Sequence, residues 1–114
     1  MSRITTHVLD AASGQPAAGL GVTLEYRTGE DQWRVVGQGK TDADGRLKEL
    51  MARGARLDVG VYRLRFDAAA YFAAQKTECF HPEIAVQFTV RDAAQDYHVP
   101  LLLSPYSYTT YLGS

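Results

Sequence analysis

Apolar and polar residues alternate through "ITTHVLD", where Ile4, Thr6 and Val8 share one side and Thr5, His7 and Leu9 the other. Period two in a run rich in β-branched residues predicts a first strand. It stops at the Gly/Pro turn "ASGQPA". In "GVTLEYRT" Val22, Leu24 and Tyr26 face one way and Thr23, Glu25 and Arg27 the other, the pattern of a half-buried antiparallel strand. "TGED" turns the chain into "QWRVVGQGKT", and "TDADGR" turns it again, with Gly45 suited to a left-handed backbone. "VYRLRFD" sets Tyr62, Leu64 and Phe66 against Arg63 and Arg65, which predicts a solvated outer face.

The alanines of "AAAYFAAQKTE" break this alternation and predict one short helix. Period two returns in "IAVQFTVRD" through Ile84, Val86, Phe88 and Val90, and two runs follow, "DYHVPLLLSP" and "YSYTTYLG", split at the corner of Ser104 and Pro105. About seven or eight short strands and one helix predict an all-β antiparallel sandwich. At 114 residues the chain is sized for one core, so a single domain over 1–114 is expected.

Composition narrows the function classes. A formal net charge of -1 offers no broad field for nucleic acid or an anionic membrane, and no run approaches the roughly 20 apolar residues that span a bilayer. The start, "MSRITTHVLD", carries no apolar leader core, so cytoplasmic residence is expected. The lone Cys79 reads as a buried or incidental thiol. "DADG" resembles the opening of a calcium loop, but "DADGRLKEL" lacks the further oxygen ligands in register, which leaves a plain β-turn. With three separated histidines and no metal-ligand or dinucleotide spacing, neither metal nor cofactor is expected.

The histidines divide by context. His81, in "CFHPE", precedes a proline at a strand entrance and reads as a solvent-facing structural residue. His7 and His98 each interrupt a strand of apolar or hydroxylated residues; His7 shares a face with Thr5 and Leu9, and His98 with Pro100 and Leu102. Whether the two imidazoles meet depends on strand pairing, which spacing does not reveal. Arg46 follows a turn and offers a planar fork of donors to an anionic or carbonyl-rich ligand.

Four blocks in order, "THVLD", "TDADGR", "YHVPLLLSPY" and the final "YLGS", resemble the transthyretin-like 5-hydroxyisourate hydrolases over essentially the whole chain. The resemblance implies a prealbumin-like sandwich of two four-stranded sheets, assembled as a homotetramer with sites at the dimer-dimer interface. It implies a small-molecule substrate, an oxidised purine opened by water without metal. It assigns catalysis to His7, Arg46 and His98, and substrate binding to His7, Arg46, Tyr111 and Ser114, without dividing the base role between the imidazoles. The family closes in Tyr-Arg-Gly-Ser, whereas this chain has Leu112 at the arginine position. Alternation turns Leu112 away from the face of Tyr111, so the geometry does not require a catalytic guanidinium there. The alternative is a transthyretin-like carrier that holds a small aromatic ligand in the channel without chemistry, a reading supported by Leu112 and "SPYSYTT".

Overall fold

The computed structural model describes residues 4–52 and 54–114. The first predicted strand forms as β1, Ile4–Asp10, with Ile4, Thr6 and Val8 buried and Thr5, His7 and Leu9 on the half-exposed side. It leads through β2 (Gln15–Pro16) to the hairpin of β3 (Gly21–Gly29) and β4 (Gln32–Lys40). The chain continues through β5 (Arg46–Leu47), β6 (Gly60–Phe66), α1 (Ala68–Ala73) and β7 (Ile84–Val90). It closes with β8 (Tyr97–His98), β9 (Leu101–Leu103) and β10 (Tyr108–Thr110). The helix is shorter than its alanine run; the Asp67 carboxylate caps it by accepting the Ala70 N–H at 3.1 Å.

One sheet holds four antiparallel strands in the order β4-β3-β6-β7. The other is arranged about β1, with β2 and β5 antiparallel along one edge and β8 and β9 along the other. This second edge corrects the all-antiparallel expectation, because β8 and β9 run parallel to β1. The pairings Ile4 with Tyr97 and Val8 with Leu101 keep one offset, so residues 97–103 act as a single parallel partner. Its regularity is broken at Pro100, which has no N–H. Since Val99 donates its N–H to the Thr5 carbonyl (2.9 Å), Pro100 turns its nitrogen the opposite way, toward the C-terminal tail.

The two layers meet over Leu20, Leu24, Leu64, Phe66, Ile84, Leu101 and Leu103, all essentially inaccessible, with Phe72 of α1 closing one end. On the outer face of the four-stranded sheet, the expected solvated row of arginines is replaced by an ion cluster. Glu25, at a register shift in β3, lies opposite Arg63 and is buried; Arg63 donates to it at 2.8 Å, and Arg65 bridges it at 3.5 Å and Glu83 at 2.6 Å. The Arg63 guanidinium also stacks 4.1 Å from the Trp33 ring centre. Full burial of Leu64, Phe66 and Phe72 is worth about 1.5–3 kcal/mol each. The exposed Arg65–Glu83 pair adds at most about 1 kcal/mol, so the interlayer core dominates stability.

The "TDADGR" turn is built as its residue types predict. Asp42 accepts the N–H groups of Asp44 (2.9 Å) and Arg46 (3.0 Å), which pulls its pKa below the usual carboxylate value, chiefly through the Arg46 amide. Gly45 takes φ +75°, and its carbonyl accepts the Val8 N–H at 2.8 Å, docking the turn onto β1. A Cβ at Gly45 would lie 2.3 Å from the Val8 carbonyl oxygen. Gly45→Ala combines left-handed strain with backbone overlap and is expected to lower the unfolding free energy by about 2–4 kcal/mol. Urea denaturation checks this, and an unchanged midpoint would contradict the turn's role in holding Arg46 against β1.

Candidate active site

Residues paired across neighbouring strands send their side chains to the same side of a sheet. His7 pairs with Arg46 across β1 and β5, and Thr5 pairs with His98 across β1 and β8. Thr5 and His7 are two positions apart on one strand, so all four side chains rise from one face. The inward alternates, Ile4, Thr6 and Val8, fix which face that is. Strand spacing and rise place the backbones of His7 and His98 roughly 8 Å apart on the diagonal. The question left by the sequence, whether the imidazoles meet, is answered by the parallel pairing: both stand on the outer face of the β1 sheet, beside Arg46.

His98 is the most constrained of the three. Its Nδ1 lies 2.9 Å from the Thr5 hydroxyl, and its carbonyl accepts the Gly113 N–H at 2.8 Å. A Cβ on Gly113 would come within 2.9 Å of the His98 ring carbon Cδ2 and 3.0 Å of Pro100. Glycine is therefore required where the tail crosses the ring. Burial of the ring, followed by the nearby Arg46 cation and His7, holds the His98 pKa below the usual imidazole value. His98 is thus neutral and able to accept a proton near neutral pH. His7 is half-buried beside it, and Arg46 is exposed, with its guanidinium free of any ion pair among the described residues.

The tail follows the expected alternation. Tyr108, Thr109 and Thr110 pair with Leu103, Leu102 and Leu101, and the bridge of Gly113 with His98 keeps the same register. That register sets Tyr111 opposite Pro100 on the His98 face, with its side chain more than half exposed, and leaves Ser114 exposed one residue beyond the bridge. Neither makes a hydrogen bond to His7, Arg46 or His98. Leu112 lines an open cleft of about 310 Å³ with Val86, Phe88, Tyr97 and Val99, and Tyr111 borders the same cleft.

His81 departs from expectation. It is only partly exposed, wedged edge-on between Phe80 and Tyr108 at centroid distances of 4.8 and 5.0 Å, with its Nδ1 buried and lacking a hydrogen-bond partner. Its place is structural, between the loop before β7 and β10. Two contacts of the site escaped the sequence reading, the Thr5 hydroxyl on His98 and the approach of Gly113 to the same ring. Both depend on pairings that join distant parts of the chain.

Comparison with known proteins accords with this geometry. Residues 4–113 match the HIUase/Transthyretin family. The 5-hydroxyisourate hydrolase of Caulobacter vibrioides is 45% identical over 119 residues, covering 100% of both chains. The Mus musculus 5-hydroxyisourate hydrolase is 44% identical over 99% of this chain and 96% of its own. Among solved structures, Klebsiella pneumoniae 5-hydroxyisourate hydrolase superposes with a TM-score of 0.87 at 31% identity, over 100% of both chains. Sea bream transthyretin in complex with thyroxine gives a TM-score of 0.89 at 33% identity, over 96% of this chain and 93% of that one. The sandwich, the order of the sequence blocks and the full-length relatives agree: the chain belongs to the HIUase/Transthyretin family.

Proposed function

We propose that this protein hydrolyses 5-hydroxyisourate to 2-oxo-4-hydroxy-4-carboxy-5-ureidoimidazoline, a step of urate catabolism. The observation that carries the reading is the placement of His7, Arg46 and His98 on one sheet face of a chain whose full-length relatives bear that enzyme's name. The reaction adds water across one ring C–N bond. Water oxygen bonds to the ring carbonyl carbon, its proton passes to an imidazole, the C–N bond breaks, and the departing nitrogen is protonated. His98 suits the first proton transfer, because burial and the neighbouring cation keep it unprotonated. His7 is placed to return a proton, and Arg46 to bind the carbonyl-rich substrate and stabilise the oxyanion. Tyr111 and Ser114 complete the substrate contacts from the tail.

The three groups rise from an open face that is not enclosed within one chain. A homotetramer, in which this face of one subunit meets another's, would wall the site and exclude bulk water. Exposed Leu102, which shares the face of His98 and Pro100, supports such a contact. The carrier reading lacks a comparable observation, since it gives the imidazole pair no chemical task.

Freshly generated 5-hydroxyisourate should lose its ultraviolet absorbance faster with the protein than spontaneously; no acceleration at micromolar protein would leave only the carrier. His98→Asn is expected to reduce kcat by about a hundred- to ten-thousandfold while the folded assembly persists, and wild-type turnover in that variant would remove His98 from the mechanism. Because the base works unprotonated and its pKa is depressed, the acid limb of the pH–rate profile should fall below the ordinary imidazole range, with full activity at neutral pH. Arg46→Gln removes a cation that opposes imidazolium formation. It is expected to raise KM and to move that acid limb upward in pH, so a limb that stays in place would contradict the assigned coupling.

A further inference from the structure

The His98 ring is held on two of its sides. Nδ1 meets the Thr5 hydroxyl at 2.9 Å, and the Cδ2 edge lies against Gly113, where even a methyl group would collide. The remaining nitrogen, Nε2, makes no hydrogen bond to the described residues. A neutral imidazole has one N–H and one lone pair, and a single hydrogen bond decides which nitrogen carries which. A threonine hydroxyl can serve either tautomer. The charged and titratable groups that act on this ring are Arg46 from β5 and His7 from β1; the tail brings the Gly113 backbone against it and Tyr111 on the same face, which makes no hydrogen bond to the ring. Arg46 is exposed on the same sheet face and favours a bare nitrogen over an N–H on the open side.

We propose that Thr5 is the positioning residue of His98: its hydroxyl accepts the Nδ1–H, so that Nε2 presents its lone pair to the open face as the proton acceptor. This rests on the hydrolase reading for its kinetic consequence, but the hydrogen bond and tautomer are properties of the unliganded protein. Two features suit Thr5 to the task. Its β-branched side chain has few rotamers, which fixes the hydroxyl direction. Its backbone is locked beneath the ring, because its carbonyl accepts the Val99 N–H at 2.9 Å from the residue that follows His98. Thr6, next along the strand, sends its hydroxyl inward to the Val99 carbonyl at 2.7 Å, so consecutive threonines grip both faces of the same segment. Thr6 holds the strand, and Thr5 holds the imidazole.

The test pairs kinetics with nitrogen NMR on Thr5→Val, which keeps shape and loses the hydroxyl, and Thr5→Ser, which keeps the hydroxyl. In the wild-type protein, imidazole ¹⁵N shifts of His98 are expected to report protonated Nδ1 and bare Nε2 above the ring's pKa. Thr5→Val should shift this population toward the opposite tautomer and lower kcat about tenfold, the value of one hydrogen bond, with KM changed less than about twofold. Thr5→Ser should restore most of kcat and the wild-type tautomer. A wild-type ring protonated at Nε2, or equal losses in the serine and valine variants, would overturn the proposal. Should the wild-type protein fail to accelerate 5-hydroxyisourate hydrolysis, the hydrolase reading falls, whereas the NMR comparison still decides whether Thr5 sets the tautomer.

Discussion

The site depends on one pairing, the parallel alignment of β1 with residues 97–103. These segments are separated by most of the chain, and parallel neighbours need a long crossover connection. Here the crossover contains the whole four-stranded sheet and α1, together with β2 and β5. Thr6 reinforces the alignment from below by donating to the Val99 carbonyl, and Val99 donates to Thr5. Sliding the alignment by one residue would turn His98 inward and expose Val99 and Leu101. Burial of those apolar residues therefore fixes the register that brings His98 beside His7 and Arg46.

Period-two alternation made β1, β3, β6 and β7 legible, because each buries one side against the opposite layer. The Asp42 to Gly45 turn was legible for a similar reason, as its residue types fit one local geometry. What alternation does not encode is which strands become neighbours. An antiparallel sandwich was the natural expectation from short strands and frequent turns, yet β1 runs parallel to β8 and β9. Glu25 was misjudged along with Arg63 and Arg65: their outward alternation was correct, but their mutual pairing buries the carboxylate. His81 was misjudged for the same reason, since its aromatic neighbour Tyr108 comes from a distant strand. The site residues were named from the resemblance; their convergence belongs to the sheet.

The electrostatics of the face follow from where the charge sits. An imidazole half-buried against Gly113 and Pro100 resists protonation, and an arginine on the same face adds to that resistance. In the proposed reaction the same cation would attract the carbonyl-rich substrate and its developing negative charge. Arg46 thus acts on the imidazole through its field, with no hydrogen bond between the two side chains. Its position depends on Gly45, whose left-handed backbone docks the turn onto β1 one residue beyond His7.

The tail is fastened to this face by the Gly113 bridge and the Thr110 hydroxyl. Pro100 turns its N-H-less nitrogen toward the tail, so the ladder that β10 begins is interrupted opposite Tyr111 and resumes at Gly113. Thr110 spans part of the gap, its hydroxyl donating to the Pro100 carbonyl at 2.8 Å. In that interval the backbone is held mainly by its ends. Leu112 lies over the apolar rim of Val86, Phe88 and Val99, while the Gly113 bridge anchors the following residue on His98. Leu112 borders that rim while remaining 66% exposed, so its side chain adds little burial to the seating of the tail. The backbone bridge at Gly113, more than the Leu112 side chain, is what ties the tail to His98.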